Sequence, residues 1–170
     1  DKCGGHFRQW FRKNCPNWEA MQDPSTELPH NYTCPQAYRT PIPEEYYPTR
    51  YIGARAADWI REQADSLDPF FAYVSFPDPH HPFNPPGKYW NMYDPDDFEV
   101  ALPYERHQNP TPPMQWMDDQ WRQGRIPGLK TTARRVGDQE LREAMALTAG
   151  MITMVDDEVG RLIEVLKHTD

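Results

Sequence analysis

The chain has 170 residues, which suits one domain. Its hydrophobic content of 38% and mean hydropathy of −0.92 are low for a self-sufficient globule, while 13% aromatic residues, with six Trp and nine Tyr, exclude a disordered composition. A net charge of −8 argues against a nucleic-acid backbone as partner, because nonspecific binding needs a basic face; no run approaches the ~20 apolar residues of a membrane span.

Residues 1–49 show little periodicity. Gln9-Trp10-Phe11 can start a short helix, and Pro16 and Pro24 limit it. Pro29, Pro35, Pro41, Pro43 and Pro48 keep the rest extended, so this part reads as a loop-rich surface excursion pinned by Trp10, Trp18, Tyr38 and Tyr46. Cys3, Cys15 and Cys34, with His6 and His30, match no zinc knuckle or finger spacing. Three is also an odd number, so reduced thiols of a cytoplasmic protein are the expectation. Asn31-Tyr32-Thr33 is a formal glycosylation sequon of a kind that arises often by chance.

Residues 49–66 predict a helix with Ile52, Ala56, Trp59 and Ile60 on one apolar stripe. Phe70–Phe76 follows as a short, nearly all apolar or aromatic run between prolines. It predicts a strand buried on both faces, making residues 50–76 half of an α/β unit. Residues 77–137 contain eleven of the nineteen prolines and predict long loops, a length of irregular chain that is usually functional or disordered. Within them, Arg125, Lys130, Arg134 and Arg135 read as a solvated basic surface. The last segment, 138–168, predicts a long helix. Leu141, Met145, Thr148, Ile152, Val155, Val159, Leu162 and Leu166 form its apolar stripe, and Asp156, Asp157 and Glu158 lie off it. Gly150 and Gly160 cost that helix ~1 kcal/mol each relative to Ala, and Gly160 can permit close packing. One strand is not a sheet, so the expected fold is a fragment of a mixed α/β sheet whose other strands lie beyond the two ends.

The sharpest local feature is His80-His81, bracketed by Pro79 and Pro82 just past the predicted strand. In open α/β sheets ligands gather at that position. The two imidazoles can bond to loop carbonyls, hold an anionic oxygen, serve a leaving group or ligate a metal; the residue pattern leaves these alternatives open.

The stretch PFFAYVSFPDPHHPFNPPGKYWNMYDPDD resembles the middle of the bacterial sulfatases of the arylsulfatase type, in the alkaline-phosphatase-like superfamily. The apolar run Phe70–Phe76 is followed by His80-His81-Pro82-Phe83, as in the family's H-x-P-F, and by Pro85-Pro86-Gly87-Lys88-Tyr89. The last helix is similar too, at Thr148, Ile152, Val155, Asp156, Val159, Gly160, Leu162 and Leu166. The likeness covers about residues 50–170. It implies a partial sulfatase domain over 1–170, with an alkaline-phosphatase-like mixed sheet flanked by helices and long Pro-rich loops. It also implies hydrolysis of small-molecule sulfate esters by a formylglycine nucleophile aided by a divalent cation, Ca2+. His80 maps onto the family's sulfate-binding catalytic histidine, with His81 second and Lys88 as a possible rim contact. The chain has no C/S-x-P-x-R motif and no metal motif, so formylglycine and cation ligands are expected outside it and the segment alone is expected to be inactive. Asp156, Asp157 and His107 are expected in surface or capping roles. The alternatives are a phosphate or phosphonate ester hydrolase of the same superfamily, or a non-catalytic binding module.

Overall fold

The computed structural model describes residues 5–66, 68–125 and 135–169. Five α-helices run in chain order: α1 His6–Asn14, α2 Trp18–Gln22, α3 Pro48–Gln63, α4 Pro112–Arg122 and α5 Asp138–His168. Short 3-10 turns at Pro24–Thr26, Glu44–Tyr46, Gly87–Asn91, Pro95–Asp97 and Tyr104–Arg106 punctuate the irregular segments between them. The terminal chemistry suits these helices. Pro48 and Pro112 stand in the first turns of α3 and α4, where a missing N–H costs nothing. Asp138 and Glu140 open α5, and Lys167 and His168 close it, complementing the helix dipole.

The expected mixed sheet is not there. Among the described residues the β-pairing is a single isolated parallel bridge, Ala37 with Phe83. Residues 70–76 are extended but unpaired, with Phe71 89% and Tyr73 83% exposed. Apolar content signals that a segment can be buried; a strand also needs a neighbouring backbone to satisfy its N–H and C=O groups, and no described segment offers one. The segment lies beside α3, where Phe70 meets Trp59 edge-on at 5.1 Å.

Helix α3 packs along α5, and both turn their buried face away from most of the expected stripe; of the expected α3 residues, Ile60 is buried. On α3 the buried residues are Thr49, Gly53, Ala57 and Ile60; on α5 they include Ala144, Leu147, Met151, Met154 and Glu158. Ile52 and Ala56 are only half-buried, and Trp59, Ile152, Val159 and Leu166 are exposed. Small side chains on α3 let the helix axes approach, so the contact forms on the small-residue face and leaves the bulkier stripe outside. Glu158, expected off the packed stripe, is 1% exposed. It lies where a Cβ on Gly53 would collide with it, and it accepts from Arg50 at 3.0 Å and from Arg161.

Two small cores flank α5. Cys34, Ala37, Trp90, Ala144 and Leu147 form one, joined by Tyr32 and Phe83; Tyr47, Tyr89 and Met154 form the other, with Ile42 against it. Gly150 is the glycine of α5 that packing requires. A Cβ there would run into the Tyr89 carbonyl oxygen, whereas one on Gly160 meets nothing within 4 Å. Glu143 accepts from the Thr33 N–H at 2.8 Å and the Cys34 N–H at 2.6 Å, fastening the 32–37 segment to α5.

Residues 77–137 hold more order than expected, because α4 lies within them. Of the basic group there, Lys130 and Arg134 lie outside the described residues, and Arg125 is exposed. Arg135 is not solvated: its side chain is 7% exposed, sandwiched 4.4 Å from the Tyr104 ring and 4.0 Å from Trp121. Its guanidinium pairs with Asp118 at 2.7 Å and with Glu105. No helix of the described residues is long and apolar enough to cross a membrane.

Candidate functional site: the histidine turn

The turn 78–83 leaves the extended 70–77 segment and returns to the core at Phe83. Its ends are held by different means. Phe83 exchanges backbone bonds with the 36–38 segment, its N–H donating to Gln36 O at 2.9 Å and its carbonyl accepting from Tyr38 at 3.1 Å. Inside the turn, the His80 N–H donates to Pro77 O at 3.1 Å. The peptides before Pro79 and Pro82 are cis.

His80 is exposed and His81 half-buried, and their rings stack with centroids 4.2 Å apart and planes at 29°. His81 also meets the Phe83 ring edge-on. His80 Nδ1 lies 2.5 Å from the His81 carbonyl oxygen. A carbonyl only accepts, so Nδ1 carries a hydrogen. That assigns the chemistry of the other nitrogen, Nε2, which has no partner among the described residues. In the neutral ring it is an acceptor. In the imidazolium it is a charged donor facing solvent, fit for an anionic oxygen.

Beneath the turn lies a polar cluster that the sequence reading missed, buried at Tyr47 and Thr49 and half-buried at Asp78 and Asn84. The Thr49 hydroxyl, on the first turn of α3, donates to Asp78 Oδ2. The Tyr47 hydroxyl sits 3.3 Å from Asp78 Oδ1 and 3.0 Å from Asn84 Oδ1. Burial pushes the Asp78 carboxyl above the usual carboxylate range, opposed by the hydrogen bonds from Thr49 and Tyr47. Burial first, and Asp78 second, drives the Tyr47 phenol far above its ordinary value. The only sequence signal for this cluster was the placing of Asp78 and Asn84 at the two ends of the His-Pro turn; nothing local pointed to Tyr47 or Thr49.

Lys88 sits past the turn, on the Gly87–Asn91 3-10 turn. Its ammonium lies 3.6 Å from Asp157 and 4.7 Å from the Tyr89 ring centroid, and its backbone N–H donates to Glu44 at 2.8 Å. No contact links it to the histidine pair among the described residues. Asp157 also accepts from the Tyr89 hydroxyl at 2.6 Å, and this bond, ahead of the nearby Lys88, holds its carboxyl below the ordinary range. Asp156 is exposed, and His107 stands beside the Tyr104 ring at 5.7 Å.

Of the possible zinc ligands, Cys3 lies outside the described residues. Cys15 and Cys34 are buried free thiols, and His30 pairs with Glu27 at 2.9 Å. No group of three or more His, Cys, Asp or Glu side chains is arranged to hold a metal ion among the described residues. The described residues therefore do not make a cation site.

Comparison with known proteins gives a consistent picture. The family model described as Sulfatase matches residues 2–170. An arylsulfatase of Clostridium perfringens (strain 13 / Type A) is 25% identical over 168 residues, covering 99% of this chain and 32% of that protein. The multifunctional alkaline phosphatase superfamily protein PehA of Trinickia caryophylli is 27% identical over 135 residues, 75% of this chain and 25% of its own length. An arylsulfatase of Klebsiella aerogenes is 25% identical over 158 residues, 85% of this chain and 32% of its own. The chain thus spans between 25% and 32% of the length of these relatives.

Proposed function

The chain belongs to the sulfatase family, and we propose that it supplies the anion-binding histidine turn of a sulfuric ester hydrolase. The observation that carries this reading is the fixed tautomer of His80, whose Nδ1–H is committed to the His81 carbonyl. As an imidazolium, His80 directs its Nε2–H outward, to an oxygen of a bound sulfate ester. The same proton can pass to the ester oxygen as the S–O bond breaks, so His80 acts as the general acid for the departing alcohol. His81 stacks beneath this ring and limits its rotation. Lys88 is a rim contact, mobile enough at 57% side-chain exposure to leave Asp157 for a substrate. In this reading a formylglycine would supply the nucleophile and a divalent cation, Ca2+, would offset the sulfate charge, both from outside this segment.

The test is His80→Ala in the protein as its gene encodes it, assayed on an aryl sulfate. Losing a group that stabilises developing charge should lower kcat roughly a hundredfold or more with the fold retained. Unchanged turnover would remove His80 from the site.

A second reading has its own support. One relative is named a multifunctional alkaline phosphatase superfamily protein. A phosphate or phosphonate ester would meet the same imidazolium. A kcat/KM higher for a phosphonate monoester than for the matching sulfate would select that reading. Anion binding without turnover of either ester would leave a binding module.

A further inference from the structure

We propose that Tyr47, Thr49, Asp78 and Asn84 form a positioning clamp, anchored in the core, that sets where the His80 ring can reach. The inference rests on the reading of His80 given above. It extends that reading to four residues that do not themselves touch the substrate.

The clamp follows from counting donors and acceptors. Thr49 spends its hydroxyl proton on Asp78 Oδ2. The single proton of Tyr47 faces two oxygens and lies nearer Asn84 Oδ1, at 3.0 Å, than Asp78 Oδ1, at 3.3 Å. One phenol thus lies within hydrogen-bond distance of both ends of the turn, Asp78 and Asn84, while Thr49 holds the other Asp78 oxygen.

Its anchor is rigid. Thr49 is fully buried, and Tyr47 packs with Tyr89 and Met154 in the core against α5. Pro79 and Pro82 remove most backbone freedom between the anchored ends. The position of His80 is thus referred to the α3–α5 core through side-chain bonds, not through regular secondary structure. A displacement of about 1 Å in such a group can cost a hundredfold.

The experiment is a double-mutant cycle on the protein as its gene encodes it, reading the dissociation constant for inorganic sulfate by calorimetry and the thermal midpoint alongside. His80→Ala should weaken sulfate binding tenfold or more. Asp78→Ala and Tyr47→Phe should each weaken it roughly tenfold to a hundredfold, and neither should weaken it further in the His80→Ala background. Asp78→Asn should restore most of the affinity, since its amide can accept from Thr49 and donate to Tyr47. If Asp78→Ala does not fold, Tyr47→Phe carries the same cycle. Lower thermal midpoints with unaltered sulfate affinity, or equal losses in both backgrounds, would overturn the clamp while leaving His80 in place. Sulfate affinity indifferent to His80→Ala would overturn the His80 reading, and the clamp's purpose with it.

Discussion

The Tyr89 hydroxyl donates to Asp157 at 2.6 Å, tying the segment that follows the histidine turn to the long helix α5. A hydrogen bond to a carboxylate is stronger than one between neutral groups, so Tyr89→Phe should lower stability by about 1–2 kcal/mol near neutral pH. The bond holds the Asp157 carboxyl below its unfolded value, so its stabilisation is present above about pH 4 and fades as pH falls through the lower folded value. Urea unfolding of wild type and Tyr89→Phe should therefore converge in acid. A gap independent of pH would mean that lost packing, not the bond, accounts for the change.

Two glycines on one helix should respond oppositely to the same substitution. Gly150→Ala forces a methyl against the Tyr89 carbonyl oxygen, a backbone atom with little room to yield. It should destabilise by about 1–3 kcal/mol. Gly160→Ala meets open space and should stabilise by about 0.5–1 kcal/mol through helix propensity. Thermal midpoints of the two variants moving the same way would contradict the packing of α5 described above.

Glu143 is buried and serves two backbone N–H groups over a hundred residues away in sequence, at Thr33 and Cys34. Glu143→Ala leaves those buried donors without their partner. A loss of about 2–4 kcal/mol follows, whereas Glu143→Gln should keep one acceptor and lose less. Hydrogen exchange at the Thr33 and Cys34 amides should accelerate in both variants, more in the first.

Asp78 gives a pH dependence of the opposite sign. Its folded carboxyl titrates above the unfolded value, so its favourable contribution is complete below about pH 4 and is lost as pH rises through the folded value. Asp78→Asn carries no ionisable group there. The stability of the variant relative to wild type should rise with pH across that window, and a constant difference from pH 3 to pH 8 would refute it.

Lys88 and His80 should separate kinetically. As a rim contact, Lys88→Met should raise KM severalfold for the ester with kcat preserved, while His80→Ala lowers kcat. If Lys88→Met leaves KM untouched, its role is confined to the Asp157 and Tyr89 contacts.

Local pattern alone determined much about this protein. The helices over 48–63 and 138–168 were legible from their apolar periodicity, their extents correct within a few residues. The motifs around His80 and along α5 pointed to the sulfatase family. Prolines at 79 and 82 marked a stiff turn carrying two imidazoles. Tertiary structure decided the rest. Which face of α3 and α5 is buried was settled by tertiary fit: Gly53 leaves room for the Glu158 side chain between the two helices, and Gly150 lets the Tyr89 backbone lie against α5. Residues 70–76 read as a strand because their side chains are apolar, yet a strand is a property of two backbones, and their own sequence carries no information about the second. The clamp under His80 depends on Tyr47 and Thr49 lying beside Asp78 and Asn84, a meeting across about thirty residues of chain. No periodicity or local spacing encodes such a meeting; it arises only when α3 is seated on the core.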